Sequence, residues 1–163
     1  MRQNLCDGRR EPCAQPHRRK HIREASLADG NGALRGAHAR HAGTGAPSGL
    51  YTYPDVVVLY GEPRFLDDEA DVLLNPTIVV EVLSPSTEVY DRGDKAEFYR
   101  QHEAIRELLL VAQDTKWIAH YSRQAEGQWL VTEITEQDAV VDLPSIGCTL
   151  RMADVYAKVK LPS

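Results

Sequence analysis

The first fifty residues contain no phenylalanine, tryptophan, tyrosine or valine, and their only branched aliphatics are Leu5, Ile22, Leu27, Leu34 and Leu50. So little apolar surface does not offset the entropy of ordering a backbone, and residues 1–48 are expected to be disordered or poorly packed. The chain has no apolar run approaching the ~18 residues that cross a bilayer. Its polar, basic N-terminus has no apolar core of the secretory kind, so the expected location is cytoplasmic, with no membrane partner. Cysteine is scarce and odd in number: Cys6, Cys13 and Cys148. That argues against a disulfide framework and fits a reducing compartment. Cys6, Cys13, His17 and His21 make a poor zinc set, because the gap between the cysteines is wider than in zinc fingers.

Positive charge is also in short supply. The formal net charge is −5, and it is uneven: residues 1–50 hold nine Lys/Arg against four Asp/Glu, the remainder ten against twenty. An acidic folded part opposes general attraction to phosphate. Contact with DNA must then come through a local basic patch and bound metal, not through the overall field. The cluster His17-Arg18-Arg19-Lys20-His21 could touch nucleic acid, although a solvated tail is the simpler reading.

After residue 50 the pattern is that of one packed α/β unit of mixed-sheet, α+β character. Tyr51–Tyr60 and Thr77–Ser84 are nearly continuous apolar runs, as expected of central strands buried on both faces. Residues 62–75 between them read as an acidic loop, in which Asp67, Asp68, Glu69 and Asp71 are solvated or, less simply, bind calcium. Ser84-Pro85-Ser86-Thr87 breaks the second strand, and a helix is predicted from Val89 to His102 with Thr87 or Ser86 as its cap. Strands follow at Glu107–Ala112, Lys116–Ser122, Gln128–Ile134 and Ala139–Leu143, with a closing helix over Met152–Val159.

Two carboxylates stand out within apolar strands. Asp55 follows Pro54, and Glu81 lies between Val80 and Val82. A buried carboxylate is costly unless paired, protonated or bound to a cation. If the two strands are neighbours, about 4.8 Å apart, both side chains can converge on one ion. All-oxygen ligands suit Mg²⁺ or Mn²⁺, which polarises a phosphoryl oxygen and activates water. The competing reading pairs Glu81 with a cationic side chain and leaves Asp55 in a turn. On the predicted helix, Asp91, Lys95 and Tyr99 share a stripe. Lys95 could serve phosphate chemistry, or form a solvated pair with Asp91. Ser84 and Ser86 read as turn residues, and His102 and His120 lack partners at motif spacing. Trp117, Tyr121 and Trp129 fit a sheet core better than a base-stacking platform.

The strings Tyr53-Pro54-Asp55-Val56-Val57-Val58, then Val80-Glu81-Val82-Leu83-Ser84-Pro85-Ser86-Thr87, then Asp91, Asp94-Lys95 and Tyr99 resemble the Uma family of bacterial restriction-endonuclease-like proteins. The resemblance runs from about Leu50 to the C-terminus. It implies a PD-(D/E)xK nuclease core over residues 50–163, hydrolysis of DNA phosphodiesters by an endonuclease, Asp55 and Glu81 as ligands of Mg²⁺ (or Mn²⁺), and dimerisation. The usual lysine two residues after the glutamate falls on Leu83, so Lys95 on the next helix is the candidate to replace it, supported by Asp91 and Tyr99. Residues 1–48 look unlike the family's N-terminal region. Their Arg/His/Ala/Gly-rich composition resembles a GC-rich gene read out of frame, which points to a frameshift or wrong start upstream of Leu50. The alternative function is a catalytically inactive protein that keeps the fold for DNA binding or self-association.

Overall fold

The computed structural model describes residues 34–37, 44–45, 51–66 and 72–162. Its centre is a mixed sheet built on Val56–Tyr60 (β4), Ile78–Leu83 (β5) and Glu107–Ala112 (β6). β-branched and leucine side chains on both faces make these strands central, because neither face can be left to water. β4 pairs antiparallel with β5, β5 runs parallel to β6, and Ile118–Arg123 (β7) and Trp129–Ile134 (β8) continue antiparallel. Leu34–Ala37 (β1) lines the far side of β4, so the order among the described residues is β1-β4-β5-β6-β7-β8. Thr44–Gly45 (β2) pairs with Tyr51–Thr52 (β3). β1 and β2 belong to the segment expected to be poorly packed; for the rest of residues 1–48 that expectation lies outside the described residues, as do the Cys6/Cys13/His17/His21 set and the His17–His21 cluster.

The parallel β5–β6 pair requires a crossover, and the helical segment 88–101 supplies it. It comprises Glu88–Tyr90 (α1), a π-helical turn over Asp91–Lys95, and Ala96–Gln101 (α2). Phe98 and Tyr99 from α2 pack with Val79, Leu83, Leu108 and Leu110 on one face of the sheet. The other face is covered by a hairpin of Val140–Leu143 (β9) and Cys148–Arg151 (β10) and by Met152–Val155 (α3), through Val141, Leu143, Met152 and Tyr156.

Four expectations need correction. The single strand 51–60 is two: Pro54 has no N–H to give a ladder, the chain bends at Asp55, and β4 begins only at Val56. Thr87 occupies the helix N-cap without a side-chain cap bond, because its hydroxyl is engaged by Ser84 Oγ at 2.8 Å. The segment 62–75 is not simply a solvated loop: Val72 and Leu73 are buried, and Leu73 bridges to Phe65. Residues 67–71, with the calcium reading placed there, lie outside the described residues. Finally, β10 was not anticipated, and α3 ends at Val155 instead of Val159.

Candidate active site

Glu81 sits in mid-β5 on the helix-facing side, between Val79 and Leu83, and only 2% of it is exposed. Lys95 Nζ lies 2.7 Å from its Oε1, and the Tyr99 hydroxyl donates to the same oxygen at 2.5 Å. With the Tyr99 proton committed to Glu81, the 2.9 Å bond between Tyr99 and Thr52 Oγ1 is donated by the threonine. Asp91 completes the stripe, with Oδ1 at 3.7 Å from Lys95 Nζ.

The π-helical turn explains how one helix aims three polar side chains at one strand. An inserted residue widens the turn, so that positions 91, 95 and 99 stay in line where a regular helix drifts; such turns recur at functional sites. Asp91 is 6% exposed and Tyr99 fully buried. The solvated Asp91–Lys95 pair on an open helix face is therefore excluded.

Asp55 is placed differently from the expected strand interior. It stands in the bend before β4 and is exposed. Its Oδ2 accepts the Val82 N–H at 2.8 Å, taking the place of a ladder carbonyl on β5. The β4–β5 register matches Val56 with Val80, so one step further Asp55 stands across from Glu81. The two carboxylates therefore come from adjacent strands, and the negative charge of Asp55 acts on Glu81.

Burial is the main force on the Glu81 carboxyl, raising its pKa from 4.5 to about 7; Lys95 and Tyr99 oppose the rise and Asp55 adds to it. Burial also raises the Tyr99 hydroxyl well above its ordinary range, followed by the charge of Glu81. Both protein contacts of Glu81 use Oε1 and the contact of Asp55 uses Oδ2. Each carboxylate thus keeps a second oxygen for another ligand. Among the described residues no group of three or more His, Cys, Asp and Glu forms a metal cage. A pair of carboxylates is nonetheless the donor set that suits Mg²⁺, which retains waters and takes substrate phosphates for the rest of its shell.

The other candidates fall elsewhere. Ser84 Oγ bonds Ser86 and Thr87 within the turn. His102 Nδ1 accepts the Ala104 N–H, and burial depresses its pKa. His120 has a partner that sequence reading missed: Glu107 Oε2, 2.6 Å from Nε2, on the opposite face of the sheet. Thr52 was also missed. Trp117, Tyr121 and Trp129 pack partly buried against the helix-side core, each with an arginine over its ring: Arg92, Arg100 and Arg123.

Comparison with known proteins places this geometry in context. The Uma2 family, described as "Putative restriction endonuclease", matches residues 20–153. Its pattern thus begins ahead of the boundary expected near Leu50. Two uncharacterized Synechocystis proteins, sll1609 and slr1290, are each 37% identical, over 97 and 107 residues. These matches cover 60% and 65% of this chain but only 55% and 54% of the relatives, so the chain spans about half their length. A crystal structure described as a "putative nuclease" from Anabaena variabilis superposes with a TM-score of 0.58 at 22% identity, covering 76% of this chain and 68% of that one. That likeness establishes the restriction-endonuclease-like nuclease fold. No helix among the described residues is long and apolar enough to cross a membrane.

Proposed function

From the membership of this chain in the Uma2 family of restriction-endonuclease-like proteins, we propose that it is a metal-dependent DNA endonuclease whose site is built on Asp55, Glu81 and Lys95. The observation that carries the reading is Glu81 itself: a carboxylate 2% exposed, contacted on one oxygen only, opposite a second carboxylate and within 2.7 Å of an ammonium. Two carboxylates can hold a divalent cation, and a lysine beside them can offset negative charge growing on a phosphate, which is one way for a protein to hydrolyse a phosphodiester.

Asp55 and Glu81 would hold Mg²⁺ (or Mn²⁺), which supplies Lewis-acid polarisation and a more acidic water. Tyr99, itself bonded to Thr52, holds the Glu81 carboxylate through Oε1 and leaves Oε2 for another ligand. Lys95 lends positive charge where negative charge grows on the phosphate, and Asp91 holds the ammonium from the other side. The mostly apolar surroundings strengthen each of these interactions.

Asp55→Ala and Glu81→Ala should each abolish Mg²⁺-dependent nicking of plasmid DNA while the protein stays folded by circular dichroism. Full activity in either variant excludes that residue. One observation favours a second reading, an inactive protein that keeps the fold to bind DNA or self-associate: the ammonium already neutralises Glu81 directly. Calorimetric binding of Mg²⁺ without nicking would select it.

A further inference from the structure

Beside the Glu81 site, a cleft of 270 Å³ opens at the carboxyl ends of the parallel strands β5 and β6. Crevices at that end of parallel strands are where open α/β sheets take ligands. Leu83 and Ala112 form its floor, Trp117 one wall, and Glu88, Arg92 and Asp114 its rim. It abuts the candidate site on two elements: Leu83 follows Glu81 by two residues on the same face of β5, and Arg92 follows Asp91 in the helical segment.

The chemistry of the cleft is unlike that of a phosphate site. The Arg92 guanidinium lies 4.0 Å from the centroid of the Trp117 ring and is paired with Glu88 at 2.7 Å. Asp114 is exposed on its turn, with no hydrogen bond or ion pair among the described residues. Two carboxylates against one guanidinium leave the rim acidic, which repels phosphate. Carboxylates instead accept from the exocyclic amines of cytosine, adenine and guanine, which thymine lacks, and arginine planes and aromatic rings are the surfaces on which unpaired bases stack. The volume lies just under the roughly 300–1,000 Å³ of drug-sized pockets, room for one base and not for a paired step.

We propose that this cleft holds one unpaired base bearing an exocyclic amine, of the strand whose phosphate lies at Glu81 and Lys95. The proposal rests on the nuclease reading for the kind of ligand, and it makes the substrate single-stranded or locally opened nucleic acid.

The test is fluorescence anisotropy with short labelled oligomers of deoxycytidine, deoxyadenosine and thymidine, in EDTA, on the full chain and on Asp114→Ala and Arg92→Ala. Both substitutions are at solvent-accessible positions, and circular dichroism verifies their folding. The cytidine and adenosine oligomers should bind about ten-fold more tightly than the thymidine one. Asp114→Ala should erase that preference, and Arg92→Ala should weaken all three by roughly ten-fold. Equal wild-type affinities, no binding, or unchanged behaviour in both variants overturns the proposal. Adding Mg²⁺ and comparing wild type with Glu81→Ala tests the nuclease reading separately. Base preference without Glu81-dependent cleavage removes the nuclease and keeps the cleft; cleavage without preference does the reverse.

Discussion

Two buried glutamates stand on adjacent parallel strands, one on each face of the sheet: Glu81 on β5, 2% exposed, and Glu107 on β6, 1% exposed. Glu107 has both oxygens engaged, Oε2 by His120 at 2.6 Å and Oε1 by the Ser145 N–H at 2.9 Å. It ties β6 and β7 to the turn of the β9–β10 hairpin. Glu81 concentrates its contacts on one oxygen and faces a second carboxylate. Burial alone therefore does not distinguish the two. The separating feature is whether the protein engages both oxygens, as at Glu107, or only one of them beside like charge, as at Glu81.

The strongest way to break this comparison is to remove each glutamate in turn. Glu81→Ala should lower Mg²⁺-dependent nicking on the order of a thousand-fold or more, while Glu107→Ala, assayed well below its melting temperature, should retain it within a few-fold. Equal losses would mean that neither face is special. In urea, Glu107→Ala should cost about 3 kcal/mol, because it strands His120 and a backbone N–H inside the protein. A loss below about 1 kcal/mol would show the pair to be relaxed by water.

How much of this contrast could be read in advance follows from how local each signal is. β6 was legible to the residue, because Glu107–Ala112 is an apolar run between turn residues. The helical segment was placed within one residue at either end, from Pro85 before it and the Asp91/Lys95/Tyr99 stripe along it. Asp55 was legible as a chemical group but not as a position: the apolar residues around Pro54 read as one strand, whereas the missing proline N–H ends the ladder. Glu107 and His120 are thirteen residues apart, and no motif spacing joins them. Only the β6–β7 register, with Glu107 opposite Ser122, makes them diagonal neighbours. The Tyr99–Thr52 bond spans forty-seven residues and left no sequence trace.

A pH titration sharpens the comparison next. The folded protein holds the Glu81 proton up to about pH 7, against 4.5 ordinarily. Between those values the folded state binds more protons than the unfolded one, so stability falls as pH rises through the window and the full penalty applies above it. The size is ~3 kcal/mol. Urea midpoints of wild type should therefore decline relative to Glu81→Gln from about pH 4.5 to about pH 7.5. Mg²⁺ should raise the wild-type midpoint more at about pH 8 than at about pH 5, since a cation takes the deprotonated carboxylate. Parallel pH curves for the two proteins would remove Glu81 as the titrating group.

The smallest effect separates two tyrosines, one per face. Tyr99 donates to Glu81, whereas Tyr156 on the hairpin side donates to the Ala112 carbonyl at 2.8 Å and holds the end of the β6–β7 connection. Each phenylalanine variant keeps the ring and loses one buried hydroxyl, at a cost of about 1–2 kcal/mol. Their pH behaviour should differ. Tyr99 is one of the groups that hold the Glu81 pKa down, so Tyr99→Phe should carry the falling limb of the stability curve to higher pH. The Tyr156 hydroxyl bonds only to backbone, so Tyr156→Phe should lower the curve without moving it. A shift in both, or in neither, would mean that the tyrosine on the helix side orients nothing and serves packing alone.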